Sequence, residues 1–522
     1  MAQVTIDGQS VEFQPGESVI QAATRQNIEI PYYCWHPRLS VAANCRMCLV
    51  EVEKAPKLVP ACQTECKEGM IVHTKNAKVK DAQRAVHEFL LINHPIDCPI
   101  CDQAGECKLQ DYYMRYHLTP SRMRDEKVSK PKLEPLGPYV TYNAERCIVC
   151  TRCVRFMEEV PKDRQLGVFN RGDHSVIGTF TDQPLDNPYS LNTVDVCPVG
   201  ALTSRVFRFK QRVWNLKRSS SICGGCARGC NVHVDQRSSQ VYRMLPRENE
   251  AVNQSWMCDE GRLTYSRAND GKLTEALMRA AGATAAAPTP ALDALDRAAV
   301  LLAPAAQAKG GLAVALSLHA TCEEAFVVGT VAKTVFGCGE VTLFGYRDGE
   351  ADDLLRVADK NPNRAGITRI LQGLGLKVAA VADLERRLAG GEVRALLCIG
   401  HETSAAETLA RAAAKLEVIV HMAHARTALA EAAHVTLPGV AWVQVEGTWV
   451  NVQGRLQRLV PAYPPQGEAQ PHHAWVLALA AKLGSDLAYP SIKTVQAEME
   501  KQLPAFAEAH VTTLGPLGAP IA

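Results

Sequence analysis

Apolar and polar positions alternate over residues 4–13, VTIDGQSVEF, and the alternation breaks at Asp7-Gly8, a pair suited to the positive φ of a tight hairpin turn. A two-stranded hairpin is expected there. After Pro15-Gly16 the period lengthens, and Val19, Ile20, Ala23 and Ile28 of ESVIQAATRQNIEI fall on one helical face. LVEV at 49–52 reads as a further strand. Residues 76–93, NAKVKDAQRAVHEFLLIN, space Val79, Ala82, Val86, Phe89 and Leu90 as a helix would, so His94 falls just past its end. The stretch 119–138 mixes charge with proline, has no period and reads as a connector. NVHVDQRSSQVYRMLP, 231–246, reads as a second hairpin.

From about residue 290, after the Ala/Pro-rich GATAAAPTPA, short β-rich runs alternate with helical ones. GLAVALSL, VTLFG, ALLCIG and VIVHMA are the expected strands; 322–336, 364–372 and SAAETLARAAAKL are the expected helices. Such alternation predicts a parallel, doubly wound sheet. Gly373-x-Gly375 follows no strand and lacks a third glycine, so it is no dinucleotide fingerprint.

A chain of 522 residues exceeds one compact core, so several domains are expected. A net charge of +2 gives no basic field for nucleic acid or anionic lipid. The opening MAQVTIDGQSVEF matches neither a secretory signal nor a transit peptide, and no apolar run is long enough to span a membrane. The 19 cysteines change the picture most, because only Cys322, Cys338 and Cys398 lie after residue 260. That clustering favours metal ligation over disulfides and a reducing compartment.

Sixteen side chains form four tetradentate sets. The first is Cys34, Cys45, Cys48 and Cys62; the second is His94, Cys98, Cys101 and Cys107. The third is Cys147, Cys150, Cys153 and Cys197, and the fourth is Cys223, Cys226, Cys230 and Cys258. Any one could close on zinc. Four in series, each with a different spacing, look like a row of iron–sulfur clusters. His94 stands three residues away from a CxxC pair, which favours a ligand role, whereas His73 and His87 lack such neighbours and receive none. Cys66, four residues past the first set, reads as a structural thiol, and Cys322, Cys338 and Cys398 as core residues.

Within the first set the motifs resemble the plant-type ferredoxin domain, a β-grasp fold that holds a [2Fe-2S] cluster. The ten-residue first gap is similar to that of the ferredoxin domains of respiratory complex I and its hydrogenase relatives. Cys147-x2-Cys150-x2-Cys153 with Cys197-Pro198 resembles the bacterial ferredoxin run, with one [4Fe-4S] cluster implied. The fourth set resembles the amino-terminal cluster domain of molybdopterin oxidoreductases. Residues 435–457 resemble a late block of that superfamily through Glu446, Gly447, Thr448, Asn451, Gly454 and Arg455. No cysteine stands at the metal-ligand position expected soon after that cluster domain, so a degenerate domain without molybdopterin is expected.

Taken together, the chain resembles the large peripheral-arm iron–sulfur subunits (the G or 75-kDa type) of bacterial NADH:quinone oxidoreductase, respiratory complex I. The resemblance implies a multidomain α+β and α/β chain: a β-grasp [2Fe-2S] domain at 1–78, a [4Fe-4S] segment with one His and three Cys ligands at 79–118 and a ferredoxin-like [4Fe-4S] domain at 139–218. A molybdopterin-oxidoreductase-type [4Fe-4S] domain at 219–275 and a reduced doubly wound α/β domain at 290–522 follow. It implies one [2Fe-2S] and three [4Fe-4S] clusters that relay electrons from a flavin subunit toward quinone, with the fourth off the main path. Implied partners are the flavin/NADH-binding subunit, other peripheral-arm iron–sulfur subunits and, indirectly, the membrane arm at the cytoplasmic face of the inner membrane. The rivals are an electron-transfer subunit of a hydrogenase or formate dehydrogenase, and a zinc-binding scaffold.

Overall fold

The computed structural model describes residues 2–116, 119–181, 183–280, 282–283, 285–308, 311–400, 409–411 and 416–521. They divide into two compact units, 1–216 and 217–522.

In the first unit, strands β1 (Gln3–Ile6) and β2 (Gln9–Glu12) form the expected hairpin. Asp7 and Gly8 both take positive φ, and the Asp7 carboxylate accepts from Thr74 N at 2.7 Å. β3 (Leu49–Val52), β4 (Val59–Pro60) and β5 (Ile71–His73) complete a sheet ordered β2-β1-β5-β3-β4, with β1 and β5 parallel. Helix α1 (Val19–Arg25) covers it, burying Val19, Ile20 and Ala23 against Val4, Ile6, Val50 and Val72. Asn27 at φ +57 lies past the helix end, so Ile28 joins that core from outside the helix.

Helix α2 (Ala77–Leu91) starts at Asn76, whose side chain accepts from Val79 N at 3.0 Å. Its buried face is not the expected apolar stripe. Val79, Gln83 and His87 face inward while Phe89 is exposed. Gln83 Nε2 donates to Leu49 O at 3.2 Å, and His87 Nε2 lies 3.2 Å from Leu109 O, so tertiary acceptors admit two polar side chains. Beyond α3 (Lys108–Tyr116), strands β6 (Glu134–Pro135) and β7 (Val140–Tyr142), helix α4 (Arg152–Glu159), the hairpin β8 (Leu166–Phe169) and β9 (Val176–Thr179), helix α5 (Asn192–Val196) and β10 (Leu202–Ser204) frame the third cysteine set.

The second unit opens with an antiparallel sheet of β11 (Lys217–Ile222), β12 (Asn231–Arg237) and β13 (Gln240–Pro246). The polar run KRSSSI gave no sign of the first of these. After α6 (Asp259–Leu263) and α7 (Tyr265–Asn269) comes an eight-stranded sheet. Its strands are β14 (Ala276–Met278), β15 (Ala287–Thr289), β16 (Leu312–Ser317), β17 (Glu340–Phe344), β18 (Lys377–Ala380), β19 (Ala395–Ile399), β20 (Val418–Ala423) and β21 (Val435–Pro438). The order β15-β14-β21-β20-β19-β16-β17-β18 is doubly wound, with β16 to β21 parallel and β14 antiparallel to β21.

Alternation along the central strands explains why these runs are apolar throughout. Leu312, Val314 and Leu316 enter one core, Ala313 and Ala315 the other, because both faces of the sheet are covered. α8 (Ala291–Ala308), α9 (Cys322–Thr334), α10 (Arg364–Gly373) and α11 (Val381–Ala389) are among the covering helices. Cys322 and Cys398 are core residues within these layers, and Cys338 packs at the margin. Most of the helix expected at SAAETLARAAAKL lies outside the described residues. A last sheet joins β22 (Gly447–Val450), β23 (Arg455–Leu459) and β24 (Ala519–Pro520). Among the described residues no helix is long and apolar enough to cross a membrane.

Candidate metal centres

The first set sits in the loop between α1 and β3 and just past β4. Left-handed φ at Ala43 and Arg46 folds the loop back on itself. Cys34 N donates to Cys45 Sγ at 3.4 Å. Hydrogen bonds from Cys45 and Cys62 hold the Cys34 thiol well below its ordinary pKa, and the contact with Cys34 pushes Cys45 and Cys62 up. Cys48 is drawn down by Cys62. These four sulfurs form one interacting group. Cys66 is buried in the adjoining apolar core, where burial pushes its thiol up to about 11.

The second set is built on the end of α2 and a short 3-10 turn, Cys98–Ile100. His94 Nδ1 is buried without a hydrogen-bond partner, and burial lowers the imidazole to about pKa 4. A neutral ring with an unsatisfied nitrogen is what a metal-ligating histidine requires. His94, Cys98 and Cys107 line one cavity. Cys101 lies against Gly200, where a Cβ would stand only 2.2 Å from its Sγ. Arg146, buried, pairs with Asp97 at 2.5 Å and carries its charge close to Cys101 and Cys98.

Around the third set, Cys147, Cys150, Cys153 and Cys197 line one small cavity walled by Tyr142, Ile177 and Leu202. Val149 and Thr151, both β-branched, take left-handed φ of +49 and +60. Such a conformation costs about 1–3 kcal/mol per residue and persists where surroundings impose it. Here it turns Val149 N onto Cys147 Sγ at 3.4 Å. Burial pushes the Cys150 thiol to about 11 and Cys197 to about 12.

In the second unit, Cys223, Cys226, Cys230 and Cys258 line one small cavity with Gly225, Gly261, Leu355 and Lys360. Gly225 N and Gly261 N donate to Cys223 Sγ and Cys258 Sγ at 3.4 and 3.3 Å. A Cβ on Gly225 would lie 2.9 Å from Gly261 Cα, so the loop closes only through paired glycines. Burial raises Cys258 to about 12. The late block braces this loop. Val452 N donates to Ala227 O at 2.7 Å, Asn451 Nδ2 to Arg228 O at 3.2 Å and Gln457 Nε2 to Gly229 O at 2.8 Å. Thr448 N and Oγ1 both donate to the buried Glu323 carboxylate.

The structure thus places the third and fourth sets each at one cavity, links the sulfurs of the first, and sets His94, Cys98 and Cys107 of the second at a shared cavity with Cys101 against Gly200. Among the described residues no three His, Cys, Asp or Glu side chains stand close enough to share a single ion. Gly200, Arg146, Arg152 and Arg155 were missed from the sequence. Their only signal was adjacency to ligand cysteines, which does not say where a side chain reaches.

Several family models match in chain order. Residues 1–77 match the 2Fe-2S iron-sulfur cluster binding domain, and 83–122 the NADH-ubiquinone oxidoreductase-G iron-sulfur binding region. Residues 137–203 match the ferredoxin-like domain of NADH-quinone oxidoreductase subunit 3, and 216–266 the NADH-ubiquinone oxidoreductase NDSU1/NuoG-like 4Fe-4S domain. Residues 275–482 match molybdopterin oxidoreductase. The chain is 43% identical over 282 residues to the NADH-quinone oxidoreductase G subunit of Rickettsia bellii, covering 54% of this chain and 41% of that one. It is 44% identical over 279 residues to the mitochondrial NADH-ubiquinone oxidoreductase 78 kDa subunit of Candida albicans, covering 53% and 39%. The alignments thus span about two fifths of the length of these relatives.

Proposed function

We propose that this chain, whose cluster-bearing part is similar to the NADH-quinone oxidoreductase G subunits, is the electron-relay subunit of such an enzyme. In this reading the first set holds one [2Fe-2S] cluster and the other three hold one [4Fe-4S] cluster each. Bound clusters supply one-electron carriers; the chain itself supplies ligands, spacing and a dry matrix. Its partners are the flavin subunit, the neighbouring iron–sulfur subunits and, through them, the membrane arm at the cytoplasmic face of a bacterial inner membrane. The molybdopterin-type domain acts as a brace without a pterin, because its late block hydrogen-bonds the fourth-set loop and Glu323.

One observation carries the relay reading. The third-set segment touches both other sets of its unit: Arg155 Nη2 donates to Cys34 O at 2.6 Å and to Cys150 O at 3.3 Å. On its other side, Gly200, three residues after Cys197, packs on Cys101 Sγ, and Lys108 N donates to Pro198 O at 3.2 Å. Main chain and the buried Arg155 guanidinium lie between the sets. The order supported is first, third, second.

Cys101→Ser in the assembled complex is expected to abolish quinone-linked NADH oxidation while NADH:ferricyanide activity, served by the flavin subunit, persists. Equal loss of both activities with assembly intact would refute the relay.

A further inference from the structure

The segment that carries Cys147, Cys150 and Cys153 also carries three arginines almost out of solvent: Arg146 at 3%, Arg152 at 5% and Arg155 at 9% exposure. A guanidinium keeps its charge in any protein, so burying one calls for an opposite charge as well as acceptors. Arg146 has Asp97. Arg152 and Arg155 have no such carboxylate: among the described residues every hydrogen bond they donate goes to an uncharged oxygen.

Those oxygens belong to two different sites. Arg152 Nη1 donates to Val196 O, beside Cys197, at 3.1 Å, and Nη2 donates to Trp35 O, beside Cys34. Arg155 Nη2 forks between Cys34 O at 2.6 Å and Cys150 O at 3.3 Å; Nη1 donates to Ser40 O, and Nε to Thr151 Oγ1 at 3.2 Å. Arg152 Nε is buried without a partner. Nearby groups deepen the imbalance: the Lys108 ammonium lies 3.8 Å over the Tyr32 ring, which Arg152 also faces at 5.5 Å. Glu159, which accepts from Ser40 N at 2.8 Å, is at the surface.

We propose that Arg152 and Arg155 are positioning residues whose buried charge is the counter-ion of two anionic clusters, those of the first and third sets, and raises the reduction potential of both. The proposal rests on the cluster reading above. A cluster held by four thiolates is anionic and becomes more so on reduction; net charge and hydrogen bonding around the sulfurs set its potential. A cation fixed between two such centres in a low-dielectric space favours the reduced state of each. The same forks tie the main chains of the two sites together.

The test is a redox titration followed by electron paramagnetic resonance on the anaerobically reconstituted full chain, comparing wild type, R155Q and R155K. In R155Q the first-set and third-set signals are expected to titrate lower, by about tenfold in the reduction equilibrium, or about 59 mV for one electron. The second-set signal is expected to stay in place as an internal reference. R155K, which keeps the charge but not the fork, is expected to move them less. Unmoved midpoints in R155Q with both clusters present overturn the proposal. If R155Q loses the clusters, R155K decides: retention at near-wild-type midpoints supports the charge, and loss there too shows that the fork's shape alone is needed. A wild-type chain that takes up no iron would instead sink the cluster reading itself.

Discussion

Gly200 shows how narrowly a single residue can control a metal site. Its φ is ordinary, so no backbone rule demands glycine; the demand comes from Cys101 Sγ, which would lie 2.2 Å from an added Cβ, with Gln103 Cβ at 3.1 Å. One of these groups must move, and Cys101 is held by Cys101 N donating to Cys98 O at 3.1 Å. Gly200→Ala is therefore expected to cost the second-set cluster while leaving the third set's own ligands untouched. Iron and acid-labile sulfide should each fall by about four per chain in the purified variant. Unchanged iron content would mean that the loop yields. Sequence reading reached the proposed ligands because their spacing is written in the chain, but not Gly200, since it lies about a hundred residues from the sulfur it accommodates.

Helix α9 is the element on which the second unit's packing turns. Its start is a reciprocal cap: Glu324 N donates to Thr321 Oγ1 at 3.0 Å, and Thr321 N donates to the Glu324 carboxylate at 2.8 Å. That carboxylate is buried and also lies 3.0 Å from His472 Nδ1, joining α9 to the helix His472–Lys482. Burial alone would raise its pKa; the facing His472 imidazole, with His473 behind it, outweighs burial and brings it down to about 2. A carboxyl lowered by folding stabilises the fold fully above its unfolded pKa of about 4.5, and that contribution fades as pH falls from there toward about 2. Acid unfolding of the second unit should therefore steepen across this window, and Glu324→Gln should remove the steepening. The variant should also lose about 3–5 kcal/mol at neutral pH, as when one partner of a buried pair is removed. Equal acid sensitivity of wild type and variant would contradict this account. The helix itself was legible from its sequence, as were the parallel strands, because a two-sided core demands unbroken apolar runs. The polar side of the packing was not: on α2, Gln83 and His87 point inward because Leu49 O and Leu109 O wait for them, and no periodicity announces a tertiary acceptor.

At the scale of the whole molecule, the division at residue 216 separates three sets from the fourth. In the first unit the sets are tied to one another through Arg152, Arg155 and the Cys197–Gly200 stretch. The fourth set is tied to its own unit: Ala227 N donates to Asp359 O at 2.9 Å, Val452 N to Ala227 O, and Gln457 Nε2 to Gly229 O. Its surroundings are those of a domain brace, which fits a site that serves assembly more than conduction. Cys226→Ala in the complex should therefore remove about four iron atoms per chain while NADH:quinone turnover per assembled complex stays near normal. The decisive measurement plots turnover against residual fourth-site iron across preparations. A flat line leaves the first three sets as the relay, because electrons that never visit the fourth site cannot register its loss. A line through the origin would place that site on the path.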